Sequence, residues 1–122
     1  MINSLSCDLL IRIKNGSRAS RKTISAPLSK YSVSILEILK KYGFIADFTV
    51  NSEERTISIS QPHVFDIELF SRPGRRLYCT ASSLPWGKTP KSLIIISTST
   101  GLLSQKEAAV KKLGGELIAE IW

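Results

Sequence analysis

Residues 93–122 read LIIISTSTGLLSQKEAAVKKLGGELIAEIW. The run Leu93-Ile94-Ile95-Ile96 is strand-sized and apolar on both faces, as a buried strand requires. It stops abruptly in Ser97-Thr98-Ser99-Thr100-Gly101, where small polar side chains and a glycine favour a turn. Ser104 and Glu107 then match a capping box, in which the hydroxyl and the carboxylate satisfy otherwise orphaned backbone donors, so the spacing predicts a helix over 105–113. Gly114-Gly115 ends that helix, and residues 116–122 alternate as a final strand. Strand, turn, single helix and strand point to an α+β protein with a mostly β C-terminal lobe.

Upstream, Leu5, Leu9 and Ile13 recur every four residues, Asn3 or Ser4 can cap the start, and Asn15-Gly16 supplies a left-handed stop, which predicts a helix near 5–15. Arg12 and Lys14 then fall in its last turn. They either complement the negative helix end or lead, with Arg18, Arg21 and Lys22, into a basic approach surface. A short strand at Thr23-Ile24-Ser25-Ala26 closes at Pro27. Ser29 caps a second helix to about Lys41, with Val33, Leu36, Leu39 and Tyr42 as its buried stripe and Gly43 as its end. From Phe44 the period becomes two: Phe44, Ala46, Phe48 and Val50 face one side, Asn51-Ser52-Glu53-Glu54 turns, and residues 56–59 return. The expectation is an N-terminal lobe, residues 1–62, of helices on a small sheet.

Gln61-Pro62-His63 makes a break, and the second lobe covers residues 63–122. Within it residues 66–71 are strand-like, Arg72-Pro73-Gly74 turns, and residues 76–79 return as a strand. A loop containing residues 83–87 leads back to the run at Leu93. No internal repeat or low-complexity stretch occurs.

The 122 residues carry seventeen Lys and Arg against ten Asp and Glu, a formal +7, with 43% hydrophobic residues. That balance suggests a polyanionic partner, nucleic acid first and a membrane surface second. The charge is divided: residues 1–42 hold eight basic and two acidic side chains, residues 43–70 one and five, and residues 71–122 eight and three. Two basic regions flanking an acidic middle fit a protein that touches RNA at both ends.

Cys7 and Cys79 are far apart and have no second Cys or His at ligand spacing, so neither a disulfide framework nor a metal site is indicated, and a reducing compartment fits. No apolar run approaches the roughly 18 residues of a membrane span. The single histidine, His63, reads as a surface residue beside Pro62. Without a second histidine, a nucleophile pattern or a Gly-rich phosphate loop ending in Lys-Ser or Lys-Thr, catalysis is not expected. Neither a cofactor nor a small-molecule substrate is expected. The opening Met1-Ile2-Asn3-Ser4-Leu5 lacks a secretory signal and an Arg-rich presequence, so a leader was either removed or not needed.

Four fragments in order carry a resemblance: residues 8–16 (DLLIRIKNG), 42–45 (YGFI), 71–78 (SRPGRRLY), and Ser97-Thr98-Ser99-x-Gly101 followed by the capped helix and Leu113-Gly114-Gly115-Glu116. Together they resemble the family of small-subunit ribosomal protein number eight over nearly the whole chain. The resemblance implies an N-terminal lobe of two helices and a small sheet, a mostly β C-terminal lobe, and binding to a helix in the central domain of small-subunit ribosomal RNA, with an assembly role. By matching motifs it carries the principal RNA contacts to Ser97, Thr98, Ser99, Gly114, Gly115 and Glu116, with Tyr78 adjacent; Thr100 and Gly101, in the same loop, are candidates with them. It also implies secondary contacts on the N-terminal lobe, for which Arg12, Asn15 and Lys30 are the candidates. Three features depart from the pattern. Thr100 stands where many relatives have Lys, Ser104-Gln105 replaces a frequent Thr-Asp, and residues 85–92 lack a Gly-rich approach.

The residue chemistry suits that expectation. A-form RNA offers a shallow minor groove and 2′-hydroxyls, which small donor-acceptor groups on a rigid turn can reach. Ser97, Thr98 and Ser99 each donate and accept, and Gly101 permits the turn. Glu116 can accept from a base amino group or brace the loop. Arg72, Arg75 and Arg76 suit phosphate, because a guanidinium forks onto two oxygens. Tyr78 can stack on a base or ribose, or sit in the core with its hydroxyl at the rim.

The expected partners are small-subunit ribosomal RNA and neighbouring small-subunit ribosomal proteins. A free-standing RNA-binding translational regulator is the alternative. A helix-turn-helix DNA reader is disfavoured because the second helix carries mainly Val, Ile and Leu. A short acidic hairpin, shortened loops and degraded peripheral motifs indicate a diverged organellar version, with a mitochondrion favoured over a bacterium or plastid.

Overall fold

Leu9, Leu10 and Ile13 form the fully buried face of the first helix, α1 (Ser4–Arg18), in a computed structural model that describes residues 4–70, 77–80, 82 and 92–122. The helix runs one turn beyond the expected Asn15-Gly16 stop. The left-handed residue is Ser20 (φ 56°), and the Arg21 amide donates back to the Gly16 carbonyl at 3.0 Å, closing the end. Gly16 is also closely packed: a Cβ there would meet the Ile24 side chain on the following strand, which would have to shift. Arg12 and Lys14 consequently lie inside the helix and not in its last turn, which holds Arg18.

Strands β1 (Thr23–Pro27), β2 (Asp47–Asn51) and β3 (Thr56–Ser60) form an antiparallel sheet with β3 in the centre. Helix α2 (Lys30–Lys41) is capped as expected: the Ser29 hydroxyl accepts from the Ser32 amide at 3.1 Å. Its buried stripe is Ser32, Ile35, Leu36 and Leu39, so the inward face is rotated from the expected one and Val33 and Tyr42 are only half-buried. The helix ends at Tyr42, and Gly43 takes a φ of 83°.

The expected alternation from Phe44 also shifts, because the buried side chain at the start of the hairpin is Ile45 and regular pairing begins only at Asp47. At the hairpin tip the Asn51 side-chain oxygen accepts from the Glu53 and Glu54 amides, the short-range bond that makes Asn a turn former. The Gln61 amide donates to the Lys22 carbonyl and the His63 amide to Phe44, both at 2.7 Å. The Ser17 hydroxyl accepts from the Val64 amide and donates to the Val64 carbonyl, each at 2.8 Å. These bonds tie the chain through Asp66 into the first compact unit, Leu5–Asp66.

The second unit covers Ile67–Trp122. Its strands are β4 (Ile67–Leu69), β5 (Leu77–Cys79), β6 (Leu93–Thr98), β7 (Gly101–Ser104) and β8 (Gly115–Ile121), with helix α3 (Gln105–Lys111) between the last two. The sheet is antiparallel. Strand β8 is central, paired with β6 on one side and with β4 and β5 on the other, while β7 flanks β6.

Strand β7 has no counterpart among the elements the sequence predicts. Its four residues pair with β6 and carry Leu103 into the core, with Ile94, Ile96 and Ala108. The expected cap is present in its hydroxyl half, with the Ser104 hydroxyl accepting from the Glu107 amide at 3.1 Å. Helix α3 is shorter than predicted, because Lys112 (φ 55°) supplies the left-handed cap ahead of the two glycines. Strand β8 does not alternate. A register irregularity leaves Ile118 unpaired with β6, and residues 118–121 are all buried, as a central strand covered on both faces should be.

Candidate nucleic-acid interface

The β6–β7 hairpin and the start of β8 assemble most of the expected C-terminal residues. Across the sheet, Leu77, Leu117, Ile96 and Leu103 are paired in one row, and three of them line or pack on the core. The next row, one residue on, must face the opposite side. It contains Tyr78, Glu116, Ser97 and Leu102. The alternation of the sheet therefore sets three candidate residues side by side on the face away from that core. Tyr78 is 67% exposed, which removes the reading of it as a core tyrosine. Glu116 is buried and Ser97 half-buried.

Gly115 has a steric role. A Cβ on it would collide with the Ser97 carbonyl oxygen and lie 3.2 Å from the Thr98 Cα, so only glycine lets β8 approach the root of the turn this closely. Gly101 has a φ of 121° and open space around it, so its glycine is needed for backbone conformation alone.

The turn has two residues, Ser99 and Thr100, with Thr98 paired to Gly101. The Thr98 hydroxyl donates to the Gly101 carbonyl at 2.8 Å and receives the Thr100 amide at 3.3 Å. It is also 3.1 Å from the Thr100 hydroxyl. With its proton committed to Gly101, Thr98 accepts in that last contact and Thr100 donates. Thr98 thus closes the turn, while Ser99 and Thr100 are exposed at the tip. Gly114 is half-buried between α3 and β8.

Arg72, Arg75 and Arg76 lie outside the described residues. In the first unit Arg12 is engaged locally: its guanidinium donates to Asp8 at 2.8 Å and to the Ser25 carbonyl at 3.1 Å. Asn15 is exposed on α1 with its carbonyl accepting from Ala19, and Lys30 is exposed at the first position of α2. Lys14 and Arg18 both reach Asp66, at 3.1 and 3.3 Å. The partial neutralisation of these cations was not legible, because Asp66 is distant in sequence.

The sequence does not mark Gln105 as a contributor. Its side-chain amide donates to the Ser92 carbonyl at 2.8 Å and accepts from the Ile94 amide at 2.7 Å. No periodic signal marks such a residue.

Among the described residues no group of His, Cys, Asp and Glu could hold a metal, and no helix is long and apolar enough to cross a membrane. A turn of hydroxyls and glycine beside an exposed tyrosine, in a basic chain, has the form of a binding surface. The family described as Ribosomal protein S8 matches residues 5–122. The chain belongs to that family, whose members are structural proteins, and it is not an enzyme. It is similar to the small ribosomal subunit protein uS8 of Mycoplasmopsis pulmonis, with 38% identity over 123 residues covering 94% of this chain and 93% of that one. The protein of the same name from Bifidobacterium animalis subsp. lactis is 39% identical, with 94% of each chain covered. The one from Mesoplasma florum is 35% identical over the whole of both chains.

Proposed function

We propose that this chain is a structural constituent of the small ribosomal subunit that binds the central domain of small-subunit ribosomal RNA and supports its assembly, beside neighbouring small-subunit proteins. The observation that carries the reading is the closed β6–β7 turn: Ser99 and Thr100 stand exposed on a hairpin fixed by Thr98, next to the row Ser97, Glu116 and Tyr78. Such a surface offers hydroxyls, backbone amides and a stacking ring to a shallow minor groove. The formal charge of +7 supplies the phosphate attraction, with Arg72, Arg75 and Arg76 as candidate phosphate contacts by residue type. The placement proposed with it is an organellar, mitochondrial ribosome, read from the short acidic hairpin and the divergence of the peripheral motifs. Recovery of the tagged chain with mitochondrial ribosomes tests that placement, and its recovery elsewhere overturns it.

The RNA reading is tested by titrating the purified chain with a central-domain RNA fragment and with an unrelated duplex of equal length across a salt series. The cognate fragment should bind more tightly at every salt concentration. Ser99→Ala should reduce that preference roughly tenfold, with little effect on folding because the residue is exposed. Equal binding of both RNAs, insensitive to Ser99→Ala, would leave only a generic basic surface.

A further inference from the structure

Strand β7 pairs with β6 from Thr98 back to Ile95, where Ile95 faces Ser104, and the chain then leaves the sheet to enter α3. Beyond that point lie Ile94 and Leu93 of β6 and Ser92 just before it, which are 0%, 1% and 3% exposed. Buried backbone groups of a strand need partners. The Gln105 side chain supplies them: its nitrogen donates to the Ser92 carbonyl and its oxygen accepts from the Ile94 amide. One side-chain amide thereby stands in for a strand residue opposite Leu93 and prolongs the pairing after β7 has ended.

The hairpin that carries the turn is held at both ends by bonds from side chains to backbone, Thr98 to Gly101 at the tip and Gln105 to Ser92 and Ile94 at the base. Between them β7 has only four residues. A slip of one residue would exchange the faces of Leu102 and Leu103 and displace Ser99 and Thr100 from the tip. We propose that Gln105 is a positioning residue for RNA recognition, fixing the β6–β7 register and so the placement of Ser99 and Thr100 against duplex RNA. The role requires an amide. A carboxylate of either length could accept from Ile94 but could not donate to Ser92. This inference rests on the RNA-binding reading above.

The test uses the full chain with Gln105→Glu, Gln105→Ala and Ser99→Ala, titrated at fixed salt against the central-domain fragment and the unrelated duplex. Amide hydrogen exchange at Ile94 and Gly101 is followed in parallel. At pH 7, Gln105→Glu should lower the preference for the cognate fragment roughly tenfold. The salt slope should stay unchanged, and exchange should be faster at both amides. Lowering the pH towards 5 should restore the preference, because a carboxyl facing a carbonyl holds its proton more tightly than usual and the protonated group donates again. Gln105→Ala should show the same loss without the restoration, and thermal melts identify any variant that fails to fold. If Ser99→Ala loses preference while both folded Gln105 variants keep it, the positioning role is overturned and the RNA reading stands. If the unaltered chain shows no preference, both fall together.

Discussion

Gly115→Ala is the substitution whose effect follows most directly from the geometry. The added methyl would meet the Ser97 carbonyl oxygen and approach the Ser97 carbonyl carbon to 2.9 Å, and both belong to the backbone of β6. No flexible side chain can yield, so β6 and β8 must move apart where Ser97 pairs with Glu116. Small-to-large changes in packed interiors cost about 1–3 kcal/mol, and a clash with backbone on both strands belongs near the upper end. At about 4 °C per kcal/mol for a chain of this size, the melting temperature should fall by roughly 10 °C. Tryptophan fluorescence suits the measurement, since Trp86 and Trp122 both lie within residues 67–122. The preference for cognate RNA should fall as well, because the displaced strand carries Ser97. Gly43→Ala is the control: its φ of 83° makes alanine strained, but nothing lies within 4 Å. It should cost about 1–2 kcal/mol and leave RNA preference alone. A Gly115→Ala protein that melts within about 2 °C of the parent and keeps its preference refutes the close-approach argument.

Two further outcomes concern the first unit. Ser17→Ala removes the hydroxyl that serves both the amide and the carbonyl of buried Val64, and should cost about 1–3 kcal/mol in urea unfolding with faster exchange at the Val64 amide. Asp47 has its carboxyl held below the ordinary value by the Lys40 side-chain hydrogen bond first, then by the Phe48 amide and the Lys40 charge. A group with a lowered folded pKa contributes stability above its unfolded pKa and loses that contribution as pH falls through the folded value. Lys40→Ala should therefore move the Asp47 titration, followed by NMR, up towards the ordinary range and weaken the acid dependence of stability. An unmoved titration would contradict the assigned cause.

Much of this architecture is legible because its signals are local. The caps at Ser29 and Ser104 lie next to the helices they start, and the Asn51 turn is closed by its own side chain. Features set by distant contacts are not legible. Gly16 reads as a helix stop but is small because Ile24 packs on it. Helix α2 offers two overlapping stripes sharing Leu36 and Leu39, and only packing selects Ser32 and Ile35 over Val33 and Tyr42. Strand β7 is hidden between a turn and a cap, where four residues give no period. At the site, the sequence marks the turn and its glycines but not how its hydroxyls are used, since residue type cannot tell a hydroxyl that closes a turn from one that faces solvent.

That division of labour among the hydroxyls bears on how the turn could recognise RNA. Thr98 commits its proton to Gly101, so the Thr100 hydroxyl, which donates to Thr98, has only acceptor capacity left for a ligand. Ser99 is exposed and, among the described residues, forms no side-chain hydrogen bond, so it keeps both functions. Thr100 is therefore suited to a 2′-hydroxyl or base amino donor, and Ser99 to either kind of partner. The bonds that occupy Thr98 also remove conformational freedom the loop would otherwise lose on binding, which raises the contribution of each remaining contact. With no lysine in the turn, its contribution should be to preference between RNAs, and the salt-dependent part of the affinity should come from basic residues elsewhere.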